Sequence, residues 1–155
     1  TTRTPATLGY RQVATVAAVS KAGAVLTYRS LAPACALNGQ QITPLTGVGE
    51  CAISVTSAGN LSITPVTVIL PIRLTLGTQT LGKFTLPETL KAFSKTNLPT
   101  ATNFGERVVY KAVGSCSVVR SVLTMRRGKC EINATSGARK ALYEGLNAKL
   151  ITAAK

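Results

Sequence analysis

The side chains that usually carry enzyme chemistry are few in this sequence of 155 residues. It contains no histidine and no aspartate, and its only acids are five scattered glutamates: Glu50, Glu88, Glu106, Glu131 and Glu144. Without histidine, neither a Ser-His-Asp nor a Cys-His relay can be built, and histidine-containing zinc sites are excluded. Paired-carboxylate hydrolysis would need two of the five glutamates to converge. We therefore expect a protein that is not an enzyme, with no catalytic residue, metal site or cofactor.

The remaining reactive side chains are four cysteines, namely Cys35, Cys51, Cys116 and Cys130. A zinc site would need the usual C-x2-C knuckle, which is missing, and the two cysteine pairs lie far apart in the sequence. Four unrelated free thiols are the other alternative. We predict disulfides, for which four cysteines allow three pairings. Disulfides would place the protein outside the reducing cytosol.

An internal repeat selects one of these pairings. Each copy reads Tyr, then Cys, then Gly-x-Cys-x-Ile-x-small-Thr-Ser, once from Tyr28 to Ser57 and once from Tyr110 to Ser136. The pairing Cys35–Cys51 and Cys116–Cys130 lets each copy close on itself. We predict two tandem domains, residues 1–77 and 78–155, each of a size normal for a small β-sandwich.

The hydrophobic pattern predicts strands in both copies, because apolar residues alternate with polar ones after the second cysteine of each. The longest alternation has six apolar positions at period two, at residues 66, 68, 70, 72, 74 and 76. Pro71 lies on the other face and cannot donate a ladder hydrogen bond, which indicates an edge or a bulge there. A last strand through Leu146 and Leu150 is preferred over a helix at 138–150.

These motifs resemble tandem immunoglobulin-like modules of bacterial, especially actinobacterial, secreted and cell-surface proteins. The resemblance rests on Val25-Leu-Thr-Tyr-Arg-Ser30, on Gly49-Glu-Cys-Ala-Ile53 and, in the second copy, on Gly128-Lys-Cys-Glu-Ile-Asn-Ala134. It implies an all-β fold of two tandem immunoglobulin-like β-sandwich domains, each with one intradomain disulfide. It also implies an extracellular structural or adhesive role and transfers no catalytic residues.

The two copies depart from that pattern at their openings. The first has only a short, Thr-rich stretch, Thr1 to Tyr10, where a first strand is expected, and the second has an extended opening from Leu81 to Asn103. A sandwich that lacks an edge strand can accept one from a neighbouring molecule. Residues 1–10 and the junction at 76–86 are the candidate edges for such self-association, and an ordinary short edge strand in a monomer is the alternative.

The charge of +13 is concentrated in the second copy, since thirteen of the eighteen Lys and Arg residues lie in 78–155. The sequence places Arg126, Arg127 and Lys129 at the tip of the second hairpin, with Arg120 on the way in. These four residues are the candidate contacts for a polyanion, and a solvated basic turn is the alternative. No aromatic residues interleave them, so sequence-specific nucleic-acid binding is not expected.

The leading hypothesis is a secreted, non-enzymatic structural protein, a subunit of a surface filament, sheath or adhesin that polymerises through strand edges. One alternative is an adhesion module that binds an anionic glycan or another cell-surface polymer. A phage decoration or fibre protein is a further alternative, because phages use similar sandwiches. No apolar run is long enough for a transmembrane segment.

Overall fold

The fold consists of strands, turns and loops. The computed structural model describes residues 2–20, 23–59 and 62–155, and no helix occurs among them. The expected all-β class is therefore confirmed for this part of the chain. By their contacts the described residues form two compact units. The first is built from the chain up to Gly77 together with Lys140–Tyr143, and the second from Thr78–Arg139 together with Glu144–Lys155.

The strands of the first unit form a four-stranded sheet, a three-stranded sheet and a two-stranded pair. They are β1 (Thr2–Arg3), β2 (Thr7–Gly9), β3 (Ala14–Thr15), β4 (Ala17–Ala18), β5 (Leu26–Ser30), β6 (Cys35–Asn38), β7 (Gln41–Pro44), β8 (Glu50–Ser57) and β9 (Val66–Thr75). The order in the larger sheet is β2-β9-β8-β5, with β2 parallel to β9. The smaller sheet has the order β3-β7-β6, and β1 pairs with β4.

The core of the first unit draws side chains from both larger sheets. Its buried members are Leu8, Val16, Cys35, Ile42, Cys51, Ile53, Val55, Ile72 and Leu74. Cys35 lies on β6 and Cys51 on β8, so their disulfide joins the two sheets, with 5.9 Å between the Cα atoms. The bond therefore sits inside the apolar cluster that holds the sheets together.

A four-residue segment from far along the chain completes the first unit. The Gly47 N–H donates to the carbonyl of Ala141 at 2.7 Å, and the Gly77 N–H donates to that of Leu142 at 2.8 Å. Tyr143 is buried. The sequence repeat carries no signal for this segment, because it lies outside the repeated motif, which ends at Ser136.

Strand β9 follows the predicted alternation, but its first half is not covered. Ile72 and Leu74 are buried, whereas Val66 and Val68 are 56% and 37% exposed. Pro71 pairs with Ala52 in an unbroken register, so there is no bulge at the proline. The expectation of an edge is confirmed, because β2 pairs only with the last three residues of β9.

The second unit contains a five-stranded sheet built on a long hairpin. Its strands are β10 (Thr89–Leu90), β11 (Lys95–Asn97), β12 (Val109–Val119), β13 (Val122–Thr135) and β14 (Asn147–Ala154). The order is β10-β14-β13-β11, with β12 also paired to β13. The predicted last strand is confirmed, since β14 occupies the end of the stretch where a helix was the competing interpretation.

An irregularity divides the long hairpin into two halves. Gly114 pairs with Cys130 and Cys116 pairs with Met125, so four residues of β13 (126–129) lie opposite one residue of β12. The Cys116–Cys130 disulfide spans this irregularity, with 5.6 Å between the Cα atoms. Both predicted disulfides are thus formed. The adjoining core consists of Leu86, Leu98, Leu123, Met125, Cys130, Ile132 and Ala154.

The two units repeat the same pairing scheme. Tyr28 pairs with Val55 and Tyr110 pairs with Ala134. Both partners, Val55 and Ala134, lie four residues after the second cysteine of their copy. A short strand runs parallel to the last strand in each unit, β2 beside β9 and β10 beside β14. The sequence repeat therefore corresponds to a repeat of topology as well as of motif.

The glycine of the Gly-x-Cys motif has a backbone reason. Gly49 has φ of 87° and Gly128 has φ of 121°, a region that residues with a Cβ rarely adopt. In both units this residue lies immediately before the strand segment that carries the second cysteine. The motif glycine therefore lets the chain turn into that segment without steric cost.

Removing the second disulfide should weaken the second unit. We expect the double substitution Cys116→Ala and Cys130→Ala to lower the free energy of unfolding by about 3 kcal/mol, because the unfolded chain loses a closed loop of this size. Urea denaturation of both purified proteins without reductant, so that the Cys35–Cys51 disulfide stays intact in each, measures the difference. A loss below about 1 kcal/mol would show that the noncovalent core is sufficient without the bond.

Replacing Gly49 with alanine should destabilise the first unit, and the cause should be the backbone conformation at this position rather than a steric clash. A Cβ at Gly49 would meet no atom within 4 Å, so Gly49→Ala should cost about 1 kcal/mol through its positive φ. Gly137→Ala is the matched control, because its Cβ would also meet open space and its φ is not positive. Equal thermal stability of the two variants would contradict this reason for the motif.

Candidate functional site

The candidate polyanion contacts do not share one hairpin tip. Val119 pairs with Val122, so the two-residue turn of the long hairpin is Arg120-Ser121. The expectation that residues 126–129 form the tip is wrong. Strand pairing continues beyond Cys116 to Val119, and the chain reverses its direction at residues 120–121. The spacing of the two cysteines is the same in either arrangement, so it could not locate the turn.

The other three predicted basic residues lie in the irregularity of the hairpin. Arg126, Arg127 and Lys129 are all exposed, and Lys129 pairs with Ala153 of β14. The structure therefore separates them along β13 from the turn that carries Arg120. They are part of the basic surface of the second unit rather than of a common site with Arg120.

Arg120 instead lines a cleft of about 480 Å³ in the second unit. The residues around it come from both ends of β12, from the hairpin turn and from the segment before β12: Thr100, Arg107, Val108, Val109, Tyr110, Val118, Arg120 and Ser121. Two of these side chains are guanidinium groups, and none is a carboxylate. A cleft with one sign of charge concentrates ligands of the opposite sign, so this site favours anions.

Backbone and side-chain hydrogen bonds hold the walls of the cleft. The Tyr110 hydroxyl donates to the carbonyl of Pro99 at 2.7 Å. The Leu98 N–H donates to the carbonyl of Ser121 at 2.8 Å, which ties the turn to the segment before β12. Burial raises the pKa of Tyr110 above its ordinary value of 10, so the phenol keeps its proton and remains a donor.

The corresponding place in the first unit is built differently. The turn between β6 and β7 has Gly39, four residues after Cys35, where the second unit has Arg120 four residues after Cys116. The next residue, Gln40, reaches across and its amide donates to the Tyr28 hydroxyl at 3.2 Å. The Tyr110 hydroxyl is bonded to Pro99 instead. The sequence repeat contained this difference, but only the pairing scheme shows that the two turns occupy equivalent places.

Unpaired strand edges are the second candidate feature. The Arg73 N–H donates to the Ala6 carbonyl at 3.1 Å on the outer side of β9. By the two-residue period of a strand, the N–H groups of Thr67 and Ile69 also point outward. Among the described residues no strand pairs with this outer side before Arg73. A row of unpaired backbone groups is therefore available there.

The last strand of the second unit has a similar free stretch. Strand β10 pairs only with Ala153 and Ala154, which leaves the outer edge of β14 from Asn147 to Thr152 without a partner strand in the described part of the chain. Ile151 is 63% exposed, and Lys149 forms an ion pair with Glu131 at 2.7 Å. This edge therefore carries charged side chains that the β9 edge lacks.

Of the two edges predicted from the sequence, the structure forms one: β2, within residues 1–10, is the outer strand of the four-stranded sheet and the short edge strand that was the alternative. Residues 7–9 form β2, so the chain supplies a short first strand itself. The junction at 76–86 contains no strand beyond an isolated bridge between Gly77 and Tyr143. The sequence signal that could have identified the real edge is the run Val66 to Leu70, which has no charged residue.

Comparison with known proteins finds no family model that matches this chain and no curated protein with significant similarity to it. A search of residues 2–20, 23–59 and 62–155 finds no helix with the length and hydropathy needed to cross a membrane.

The Tyr110 hydrogen bond should make stability depend on alkaline pH. Tyr110→Phe should lower the free energy of unfolding by about 1 kcal/mol near neutral pH, because the Pro99 carbonyl loses its donor. The raised pKa means that the folded state favours the protonated phenol. The advantage of the wild type over the variant should therefore be complete below about pH 10 and be lost as the pH rises through the raised pKa. Urea denaturation of both proteins across this range measures it, and a constant difference would contradict the assignment.

Proposed function

We propose that this protein is a non-enzymatic, extracellular structural protein, a subunit of a surface filament, sheath or adhesin. In this proposal it is built from two immunoglobulin-like β-sandwich domains and assembles with further copies of itself through an exposed strand edge. Its two disulfides suit an oxidising, extracellular compartment. The lack of histidine and aspartate removes the usual side chains of hydrolytic and transfer chemistry.

The strand order of the first unit supports the immunoglobulin-like part of the proposal. Immunoglobulin sandwiches place strands A, B, E and D in one sheet and C, F and G in the other. Here β1 pairs with β4, and β3 is followed by β7 and β6, which corresponds to A-B-E-D with strand B in two pieces. The larger sheet, β5, β8 and β9, corresponds to C-F-G. The disulfide differs from the antibody arrangement, since it joins the D and F positions.

The second unit supports the same assignment with longer strands. The two halves of β12 take the C and D positions, the two halves of β13 take E and F, and β14 takes G. Strand β11 takes position B beside the first half of β13. The irregularity opposite Ser115 is then the point where the hairpin passes from one half of the sandwich to the other.

The observation that carries the assembly proposal is the free edge of β9. Val66, Val68 and Ile69 are exposed there, at 56%, 37% and 59%, and the stretch from 66 to 72 has no charged side chain. Natural monomers usually protect such edges with lysine, proline, bulges or covering loops, and here Pro71 limits the free stretch to residues 66–70, which carry none of these. This apolar stretch is suited to pairing with a strand from another copy, which would bury these side chains and satisfy the outward backbone groups.

Assembly should depend on the β9 edge and should increase with salt, because copies with a charge of +13 repel one another less when screened. We expect the wild type to form oligomers or fibres in sedimentation velocity and electron microscopy. Ile69→Lys should weaken association by about tenfold or more, since a buried lysine would meet an apolar edge.

Val13→Lys is the matched control, because Val13 is 61% exposed and lies outside any strand, while the charge change is the same. Its association should equal that of the wild type. A wild-type protein that stays monomeric at high concentration and high salt would overturn the assembly proposal. Equal weakening by both lysine substitutions would show that the β9 edge is not the contact.

A further inference from the structure

The cleft of the second unit combines features that suit one kind of ligand. Arg107 and Arg120 supply two planar guanidinium groups, which match the oxygen pairs of a carboxylate, sulfate or phosphate. Thr100 and Ser121 add hydroxyl groups that can donate or accept. The ring of Tyr110 and the neighbouring valines add an apolar wall. The lining of the cleft thus combines charged, hydroxyl and apolar groups.

The backbone at the turn is strained in a way that its counterpart avoids. Arg120 has φ of 48° and Ser121 has φ of 62°, both in the left-handed region. The first unit uses Gly39, with φ of 58°, at the position of Arg120. A side chain in this conformation costs about 1 kcal/mol relative to glycine. Strain of this kind is typical of functional positions. Here the strained residue places a guanidinium group at the cleft.

The side chain that follows the turn position also differs between the units. Gln40 donates from its amide to the Tyr28 hydroxyl at 3.2 Å, whereas Ser121 lines the cleft beside Tyr110, whose hydroxyl donates to the Pro99 carbonyl. The equivalent tyrosines therefore have different partners, and in the second unit two arginines line the cleft beside the tyrosine.

From these observations we propose that the cleft binds a carboxylate- or sulfate-bearing sugar residue of an acidic glycan. Arg107 and Arg120 contact the anionic group, Thr100 and Ser121 contact sugar hydroxyls, and the sugar ring packs against Tyr110. A volume of about 480 Å³ is within the range of small-molecule sites and larger than a single inorganic anion needs. A nucleic-acid strand is disfavoured because one aromatic ring lines the cleft, whereas single strands use successive stacking platforms.

The wider charge of the second half of the chain fits this ligand. Thirteen basic residues lie in 78–155, and they attract a polyanion from a distance of about one Debye length, roughly 10 Å at 0.1 M salt. The cleft then selects one charged sugar along that polymer. The site is independent of the assembly proposed above, since binding should weaken with salt whereas edge pairing should strengthen with it.

The test is isothermal titration calorimetry of the whole protein at low ionic strength with two ligands of defined length. One is a heparin oligosaccharide, which carries sulfates and carboxylates, and the other is an oligogalacturonate, which carries carboxylates only. A neutral maltooligosaccharide of similar length should not bind. Binding of the first alone identifies sulfate as the anion recognised, and binding of both identifies carboxylate as sufficient.

Substitutions then separate the cleft from general basicity. Arg107→Gln and Arg120→Gly should each raise the Kd about tenfold, which corresponds to about 1.4 kcal/mol. Ser121→Gln should also weaken binding with no change of charge, because a longer side chain at this position reduces the cleft that Ser121 lines. Arg127→Gln is the matched control, since it removes one charge from an exposed arginine outside the cleft, and it should change the Kd by less than about threefold.

Arg120→Gly also controls for folding, because glycine relaxes the strained turn and the thermal stability should not fall. Failure of the wild type to bind either oligosaccharide would overturn the proposal. Equal weakening by Arg127→Gln and Arg107→Gln would overturn it as well, since binding would then be diffuse. Tighter binding of a single-stranded DNA of similar charge, with the same pattern among the variants, would overturn the glycan assignment.

Discussion

In each unit a disulfide joins two strand segments that carry opposite parts of the core, and the remaining pairing is arranged around it. Cys51 and Cys130 are almost fully buried, and their neighbours on the same strands, Ile53 and Ile132, have no exposed surface. Units of this size have a thin core with few aromatic side chains, so apolar burial leaves a small margin over chain entropy. A bond that contributes about 3 kcal/mol is large against a total stability of about 5–15 kcal/mol.

The repeat supplies one scaffold twice, and the differences between the copies are where distinct properties arise. The first copy has a glycine turn and a glutamine that reaches the neighbouring tyrosine. The second has an arginine and a serine in the same places, in a less favourable backbone conformation. The scaffold tolerates both because the turn lies at the end of a paired hairpin whose register is set elsewhere, by the core residues and the disulfide.

The strand edges show a similar contrast between the copies. Strand β14 of the second unit carries a lysine that forms an ion pair with a glutamate on β13. Residues 66–70, the exposed half of β9, carry only apolar and hydroxyl side chains. Charge near an edge opposes pairing with a second sheet, because the charged group would have to leave water. The two edges, although topologically equivalent, are therefore unequal in the charge that they carry.

Local pattern and the repeat by themselves determined the strand class, the pairing of the cysteines and the last strand of each copy. These features depend on residues close in sequence or on a motif that occurs twice. The tertiary structure alone decided three others: the turn at Arg120-Ser121, the cleft between that turn and Tyr110, and the uncovered half of β9. Each of these depends on where strand pairing stops or where a neighbouring strand ends. The cysteine spacing and the hydrophobic alternation are the same wherever those ends fall, so the sequence pattern does not reveal them. Contacts between residues far apart in the chain set those limits, so the chemistry-bearing arginines could be counted in the sequence but not placed.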